Sequence, residues 1–326
     1  RGTDLVRFER DLESLVMADR GVLRALGRPP MDLTALAAAC AALTVVALAA
    51  AYLWGLPALA RTTARGIPWS WEQRLGQTAL DELVPEKAGR NDRCADPEAN
   101  AAVQAIIDRL QAGRRADAGT SAPKVSVVIA RQSLVNALAL PGGHVVVFSG
   151  LLRQTKRPEE LAGVLAHELS HVDHRHPTQN LIRALSIQAL LAVMAGDLSS
   201  LLGAAASLGS LRYQRSDETT ADLDGLRMMA AAGLDPQGMI DMFQILAADD
   251  DRLPGAVQYL ASHPLTRNRI AALKQHGQSL PPASHQPVSW ARRGEADPPT
   301  HADFKTSNRQ GSPTPTDWAR IAHACD

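Results

Sequence analysis

The chain has 326 residues, 45% hydrophobic and 21% charged, with 34 basic against 34 acidic side chains. That length and apolar content suffice for a sizeable core in one or two domains, and the balanced charge gives no electrostatic footprint for nucleic acid or acidic partners. Residues 1–30 carry mixed charge and begin at Arg1 rather than Met, so the first residues of the gene product are expected upstream. From Leu33 to Ala60 no side chain is charged, and apart from Cys40 and two aromatics the polar ones are Thr34 and Thr44. These 28 residues, at about 1.5 Å each, exceed a hydrocarbon core of roughly 30 Å. Tyr52 and Trp54 lie near the end, where an interfacial aromatic belt belongs. A transmembrane helix is therefore expected over residues 31–60, with 1–30 as its juxtamembrane segment; a buried Ala-rich core helix is the alternative. A cleaved signal peptide fits less well, because the apolar run is too long and mixed-charge residues precede it. Arg20, Arg24 and Arg28 flank one side and Arg61, Arg65 and Arg74 the other, so positive charge does not decide the orientation.

Residues 61–123 read as a helical connector. Helical periodicity marks Trp69 to Leu83, through Leu75 and Ala79, and Pro97 to Ala116, through Val103, Ile106, Ile107 and Leu110, with polar connectors at Pro85–Asp96 and Gly113–Pro123. Residues 124–276 are expected to form the main folded domain. It opens with three Val-rich segments, Lys124–Ala130, Leu134–Leu140 and His144–Ser149, separated by Arg131-Gln132 and Pro141-Gly142-Gly143. They read as short strands of a small, mostly antiparallel sheet. Pro158, Glu159 and Glu160 then open a helix whose apolar side carries Leu161, Val164, Leu165, Leu169 and Val172. Leu181 to Leu211 is weakly polar, but Asp197 and several serines argue against a second span, and one or two helices are expected. A helix over Asp217–Ala232 ends at Gly233, Pro236 starts another, and a last one covers His263–Gln275. The Asp249–Asp251 run reads as a solvated loop. Residues 277–326 form a Pro-rich, largely flexible tail in which Asp317–Cys325 could dock back.

Within this frame, residues 167–171 read His-Glu-Leu-Ser-His. On a helix, positions i and i+4 share a face, so His167 and His171 can direct ring nitrogens at one metal ion while Glu168 projects beside it. Glu218 and Asp222 repeat the same spacing on the later helix. Glu218 can then supply a third ligand, leaving one tetrahedral position open as in catalytic zinc sites. Asp222, one turn on, can accept the free ring N–H of a ligand histidine. In this reading Glu168 is the general base for water attacking a peptide carbonyl. His174 and His176 fall out of phase with the pair and precede Pro177, so they read as helix-end cations, and His144 as a surface residue. Cys40 lies in the apolar span, leaving Cys94 and Cys325 outside it. They could form a disulfide, which would put the catalytic part in an oxidising compartment, or remain two unrelated thiols.

Four ordered motifs, Asn136-Ala-Leu-Ala-Leu-Pro-Gly-Gly143, His167–His171, Glu218-Thr-Thr-Ala-Asp222 and His263-Pro-Leu-Thr-Arg-Asn-Arg269, together resemble the membrane-associated zinc peptidases that include the HtpX heat-shock protease and the CAAX prenyl protease. The resemblance covers about residues 124–275. It implies an α+β, mainly helical zincin-like metallopeptidase domain with a small antiparallel sheet, preceded by one N-terminal transmembrane helix. It also implies one zinc held by His167, His171 and Glu218, with Glu168 as base. His263 would stabilise the oxyanion or occupy the metal's open position in a latent state, accompanied by Arg269. The strand after the Pro-Gly-Gly turn, His144 to Ser149, would be an exposed edge for an extended peptide, giving Asn136, Gly143, His144, Val145 and Val146 as substrate-binding residues. The chain departs from some members in having one clear span and no tetratricopeptide-like repeats, which leaves the substrate open. The expectation is a single-pass protein of the bacterial inner membrane, with a periplasmic peptidase domain acting on extended or misfolded polypeptides. The alternatives are a chaperone-like assembly factor on the same fold, or a latent peptidase gated by His263.

Overall fold

The computed structural model describes residues 10, 13–14, 33–87, 90–118, 124–195, 214–248, 263–264, 267–280 and 315–325. The Asp249–Asp251 run, the part of the Leu181–Leu211 stretch beyond 195, and the tail from 281 to 314 lie outside the described residues. The chain divides into two compact units, Arg1–Leu59 and Ala60–Asp326.

In the first unit, α1 (Leu33–Ala50) continues through a π-helical turn, Ala51–Gly55, and leads into α2 (Leu56–Gly66), which reaches into the second. The helical run Thr34–Gly66 is 33 residues long and apolar enough to cross a membrane. Leu43, Val45, Val46, Leu48 and Trp54 are all exposed along it, the reverse of a core helix. The Thr44 hydroxyl is satisfied locally, donating to Cys40 O at 2.9 Å.

The second unit continues with α3 (Trp69–Leu83), matching its expected bounds, followed by an antiparallel pair of two-residue strands, β1 (Glu86–Lys87) and β2 (Arg90–Asn91), within the segment read as a connector. Next come α4 (Pro97–Ala118), β3 (Ser126–Ala130), β4 (Ala137–Leu140), a 3₁₀ turn at Pro141–Gly143, β5 (His144–Phe148) and α5 (Ser149–Gln154). The helices α6 (Pro158–Asp173), α7 (His176–Ala195), α8 (Arg215–Ala231), α9 (Gln237–Ala248), α10 (Arg267–Ser279) and α11 (Pro315–His323) complete the described chain. The expected last helix thus starts later than His263, which sits in a bend before it.

The three-stranded sheet corrects the expected topology. Its order is β3-β5-β4, with β5 antiparallel to β4 but parallel to β3, so the sheet is mixed. The Pro141–Gly143 turn reverses the chain between β4 and β5, while the earlier strand lies on the far side of β5. The alternating residues Ala137, Ala139, Val145 and Val147 join the core formed with α4 and α6, whereas Leu138, Leu140, Val146 and Phe148 pack with Ala79, Leu80 and Val84 at the end of α3. Both faces are covered, which explains why these strands read as unbroken apolar runs.

Two glycines make that covering possible. A Cβ on Gly76 would stand 1.9 Å from Pro141 O, so only glycine lets α3 lie on the turn, and Gly142 adopts φ +70° within it. Arg175, just beyond α6 at φ 55°, turns the chain into α7. Its Nη1 donates to Ala64 O at 2.8 Å and Ile67 O at 2.7 Å, satisfying carbonyls at the end of α2, and to Glu72 Oε1 at 3.0 Å.

At the other end of the described chain, α11 packs on the core. Trp318 is buried, with Nε1 donating to Thr155 Oγ1 at 3.2 Å, and Ile321 and Ala322 join the core. Cys94 and Cys325 meet at disulfide distance, their Cα atoms 5.3 Å apart.

Candidate active site

The helix α6 runs through the middle of the core, flanked by α8, α9 and β4. His167, Glu168 and His171 are all fully buried on it. Glu218 and Asp222 reach them from α8, Arg269 from α10, and His263 from the bend before α10.

The i, i+4 pair behaves as helix geometry requires: His167 Nε2 and His171 Nε2 lie 3.1 Å apart. Glu218 Oε1 stands 3.4 Å from His171 Nε2, and Oε2 is 3.6 Å from His167 Nε2. His263 Nδ1 completes the group, 3.0 Å from Glu218 Oε1 and 3.3 Å from His167 Nε2. The four donor atoms fall within 4.8 Å of one another. Three imidazole nitrogens and one carboxylate oxygen, buried and packed this closely, are a donor set suited to a metal ion such as zinc.

Glu168 stands beside this set, outside it. Its Oε2 accepts the Ala139 backbone N–H at 2.8 Å. Its Oε1 makes no hydrogen bond among the described residues and lies 3.4 Å from His263 Nε2. Behind His167, Asp222 Oδ1 lies 3.1 Å from Nδ1. The Arg269 fork grips the same carboxylate, Nε donating to Oδ2 at 2.7 Å and Nη2 to Oδ1 at 2.6 Å. Its Nη1 reaches Glu218 Oε2 at 2.6 Å and Pro264 O at 2.9 Å. One guanidinium thereby ties together the Glu218 and Asp222 carboxylates and the backbone next to His263.

The electrostatics separate the two glutamates. Burial pushes Glu168 up from the usual carboxylate range, against the pull of His263 and His167. Burial acts in the same sense on Glu218, but attraction to His263 and hydrogen bonds from His171 and His263 outweigh it and hold that carboxyl far below the usual range. Burial also opposes ionisation of Asp222, where hydrogen bonds from Arg269 and His167 prevail and lower it. His171 is lowered well below an ordinary histidine by burial, while at His263 the adjacent Glu218 and Glu168 overcome burial and raise it.

The predicted substrate edge is overturned. Strand β5 is the central strand, hydrogen-bonded on both sides, and Val145 and Val146 are fully buried, so His144 to Ser149 has no backbone edge to offer. Gly143, at φ +82°, is a buried turn residue covered by Lys124 O and the Trp69 ring. The His144 ring is held between Ser126 Oγ at 2.9 Å and Gln73 O at 3.3 Å. The end strands are β3 and β4, and β4 is the one packed against α6. Asn136 O accepts from Phe148 N at 3.1 Å, so the even-numbered residues point their backbone groups at β5. Ala137 and Ala139 therefore face the other way, toward Glu168.

His176 was misread from its spacing. Instead of a helix-end cation it is a buried ring, its Nδ1 2.8 Å from His171 Nδ1. Burial lowers it from 6.5 to about 4, with Asp217 opposing. His174 lies at the surface, its Nε2 2.9 Å from Asp224 Oδ2.

Residues 97–276, more than half of the chain, match peptidase family M48. The mitochondrial metalloendopeptidase OMA1 of Schizosaccharomyces pombe is 30% identical over 224 residues, 68% of this chain and 65% of that protein. The β-barrel assembly-enhancing protease of Yersinia pestis is 32% identical over 179 residues, 48% of this chain and 36% of its own. The OMA1 protein of Saccharomyces cerevisiae is 36% identical over 146 residues, 41% of each chain. The chain thus spans less than two thirds of the length of these relatives. The chain belongs to peptidase family M48.

Proposed function

We propose that the protein is a zinc endopeptidase, anchored by the single helix Thr34–Gly66, that hydrolyses extended or misfolded polypeptides. The observation that carries this reading is the placement of Glu168, outside the cluster of His167, His171, Glu218 and His263 yet oriented beside it by the Ala139 N–H. His167, His171 and Glu218 would hold the ion, which when bound would supply Lewis acidity for hydrolysis of a peptide by water. Glu168 takes the proton of that water and returns it to the leaving amine. Its upward shift suits a group that must both accept and donate near neutral pH. Asp222 keeps the His167 proton on Nδ1, and Arg269 fixes Asp222 in turn.

An extended substrate would pair along β4, using the outward backbone groups of Ala137 and the Ala139 carbonyl, since the Ala139 N–H is held by Glu168 Oε2. This mode selects unfolded chain more than sequence, and the names of the relatives, an assembly-enhancing protease among them, support a quality-control role at a membrane. A second reading is favoured by His263, whose Nδ1 lies among the donor atoms. It would occupy the open coordination position in a latent state and leave when substrate enters.

The metal assignment predicts a single zinc per chain by elemental mass spectrometry of the intact protein, with cleavage of casein. Glu218→Gln is expected to lose most of the zinc, and undiminished binding in that variant would remove Glu218 from the ligand set.

For the compartment, we propose that Cys94 and Cys325 form a disulfide and that the peptidase unit faces an oxidising space such as the bacterial periplasm. Cys40 is the free cysteine among the described residues. Alkylation under denaturing conditions is expected to label one thiol before reduction and all three after it. Three labelled thiols without reductant would refute the bond.

A further inference from the structure

We propose that His176 is a positioning residue for His171, holding the Nδ1–H of that ligand so that its Nε2 lone pair stays aimed at the metal. The inference rests on the metal assignment above and concerns a residue outside the donor set.

Two Nδ1 atoms 2.8 Å apart must share one hydrogen, so one ring donates and the other accepts. The direction follows from the donor cluster. His171 Nε2 faces His167 Nε2 at 3.1 Å and Glu218 Oε1 at 3.4 Å, the side on which a ligand lone pair is needed. Its proton therefore sits on Nδ1, and His176 Nδ1 accepts it. The His176 proton is then on Nε2, which faces Asp217 Oδ1 at 3.6 Å, with Arg183 Nη2 3.5 Å from the other oxygen of that carboxylate. Every link in the series His171, His176, Asp217 points the same way.

The arrangement differs from that behind His167, where Asp222 stands directly at 3.1 Å. One ligand histidine is backed by a carboxylate, the other by a neutral ring that relays a more distant carboxylate. Two backbone features place the relay: the turn at Arg175, φ 55°, folds the start of α7 against α6, and Asp217 lies in the first turn of α8 beside the ligand Glu218.

Zinc affinity of the full-length protein, measured by competition with a chelator, tests the proposal. His176→Ala and His176→Phe are expected to weaken zinc binding about 10- to 100-fold. His176→Asn, whose amide oxygen can stand near the Nδ1 position, is expected to recover most of that loss. Wild-type affinity in the Ala and Phe variants, or an Asn variant as weak as Ala, would overturn the inference. His171→Ala is the control: if it keeps zinc, the metal assignment itself fails, whereas loss there with no loss at His176 removes only the positioning role. Nitrogen-15 NMR of the zinc-loaded wild-type protein decides independently of whether any variant folds. A proton on His176 Nε2 is expected, and a proton on its Nδ1 overturns the relay.

Discussion

Glu168→Gln is expected to lower casein hydrolysis about 10²- to 10⁴-fold, the range of a lost general acid–base, while zinc stays bound. The amide keeps the shape of the side chain, and its oxygen can still accept the Ala139 N–H that now ends on Glu168 Oε2. What it cannot do is take a proton. Since the carboxylate lies outside the donor cluster, metal content provides the internal control. The wild-type enzyme should also lose kcat/KM on the acid side at a higher pH than an ordinary glutamate would dictate, because burial raises Glu168 and the base must be ionised to act. Equal cleavage by both proteins at full zinc occupancy would remove Glu168 from the reaction.

The largest stability effect is expected at Arg269. Its guanidinium faces Asp222 through two hydrogen bonds and Glu218 at 2.6 Å, with all three side chains buried. Arg269→Met leaves two buried carboxylates without that partner, and breaking a buried pair in this way costs about 3–5 kcal/mol. For a unit of this size the melting temperature of the zinc-free protein should fall by on the order of 10 °C. The pH dependence carries the sign. Asp222 and Glu218 are lowered in the folded state, so the stability they contribute is present above their unfolded values near about 4 and is lost as pH falls toward the folded values. The variant should therefore show a shallower acid loss than the wild type. A melting temperature within a degree or so of wild type would mean that the two carboxylates do not depend on Arg269.

Much of the site was readable because α-helical spacing is so regular. His167 and His171 had to share a face once Pro158 opened a helix, and Glu218 with Asp222 had to share another. Both expectations depend only on local geometry. The sheet was different, since alternation says which residues share a face and nothing about which strand lies beside which. With α3 on one face and α4 and α6 on the other, even the alternation was hidden in apolar runs. That is why β5 could be taken for an edge when β4 holds that place. His176 was missed for a related reason: its proximity to His171 depends on one residue, Arg175, adopting a positive φ, which helix phase cannot express. The meeting of Cys94 with Cys325 was legible only as an arithmetic remainder, because 231 residues separate them.

That separation bears on how the protein would tolerate its own chemistry. With the bond formed, the closed loop encloses α6, α8 and every residue of the donor cluster. A single backbone cut anywhere between Cys94 and Cys325, whether by another protease or by a second copy of this one, would then leave both fragments covalently joined. Such a nicked molecule would migrate as an intact chain on a non-reducing gel and separate into two bands only after reduction.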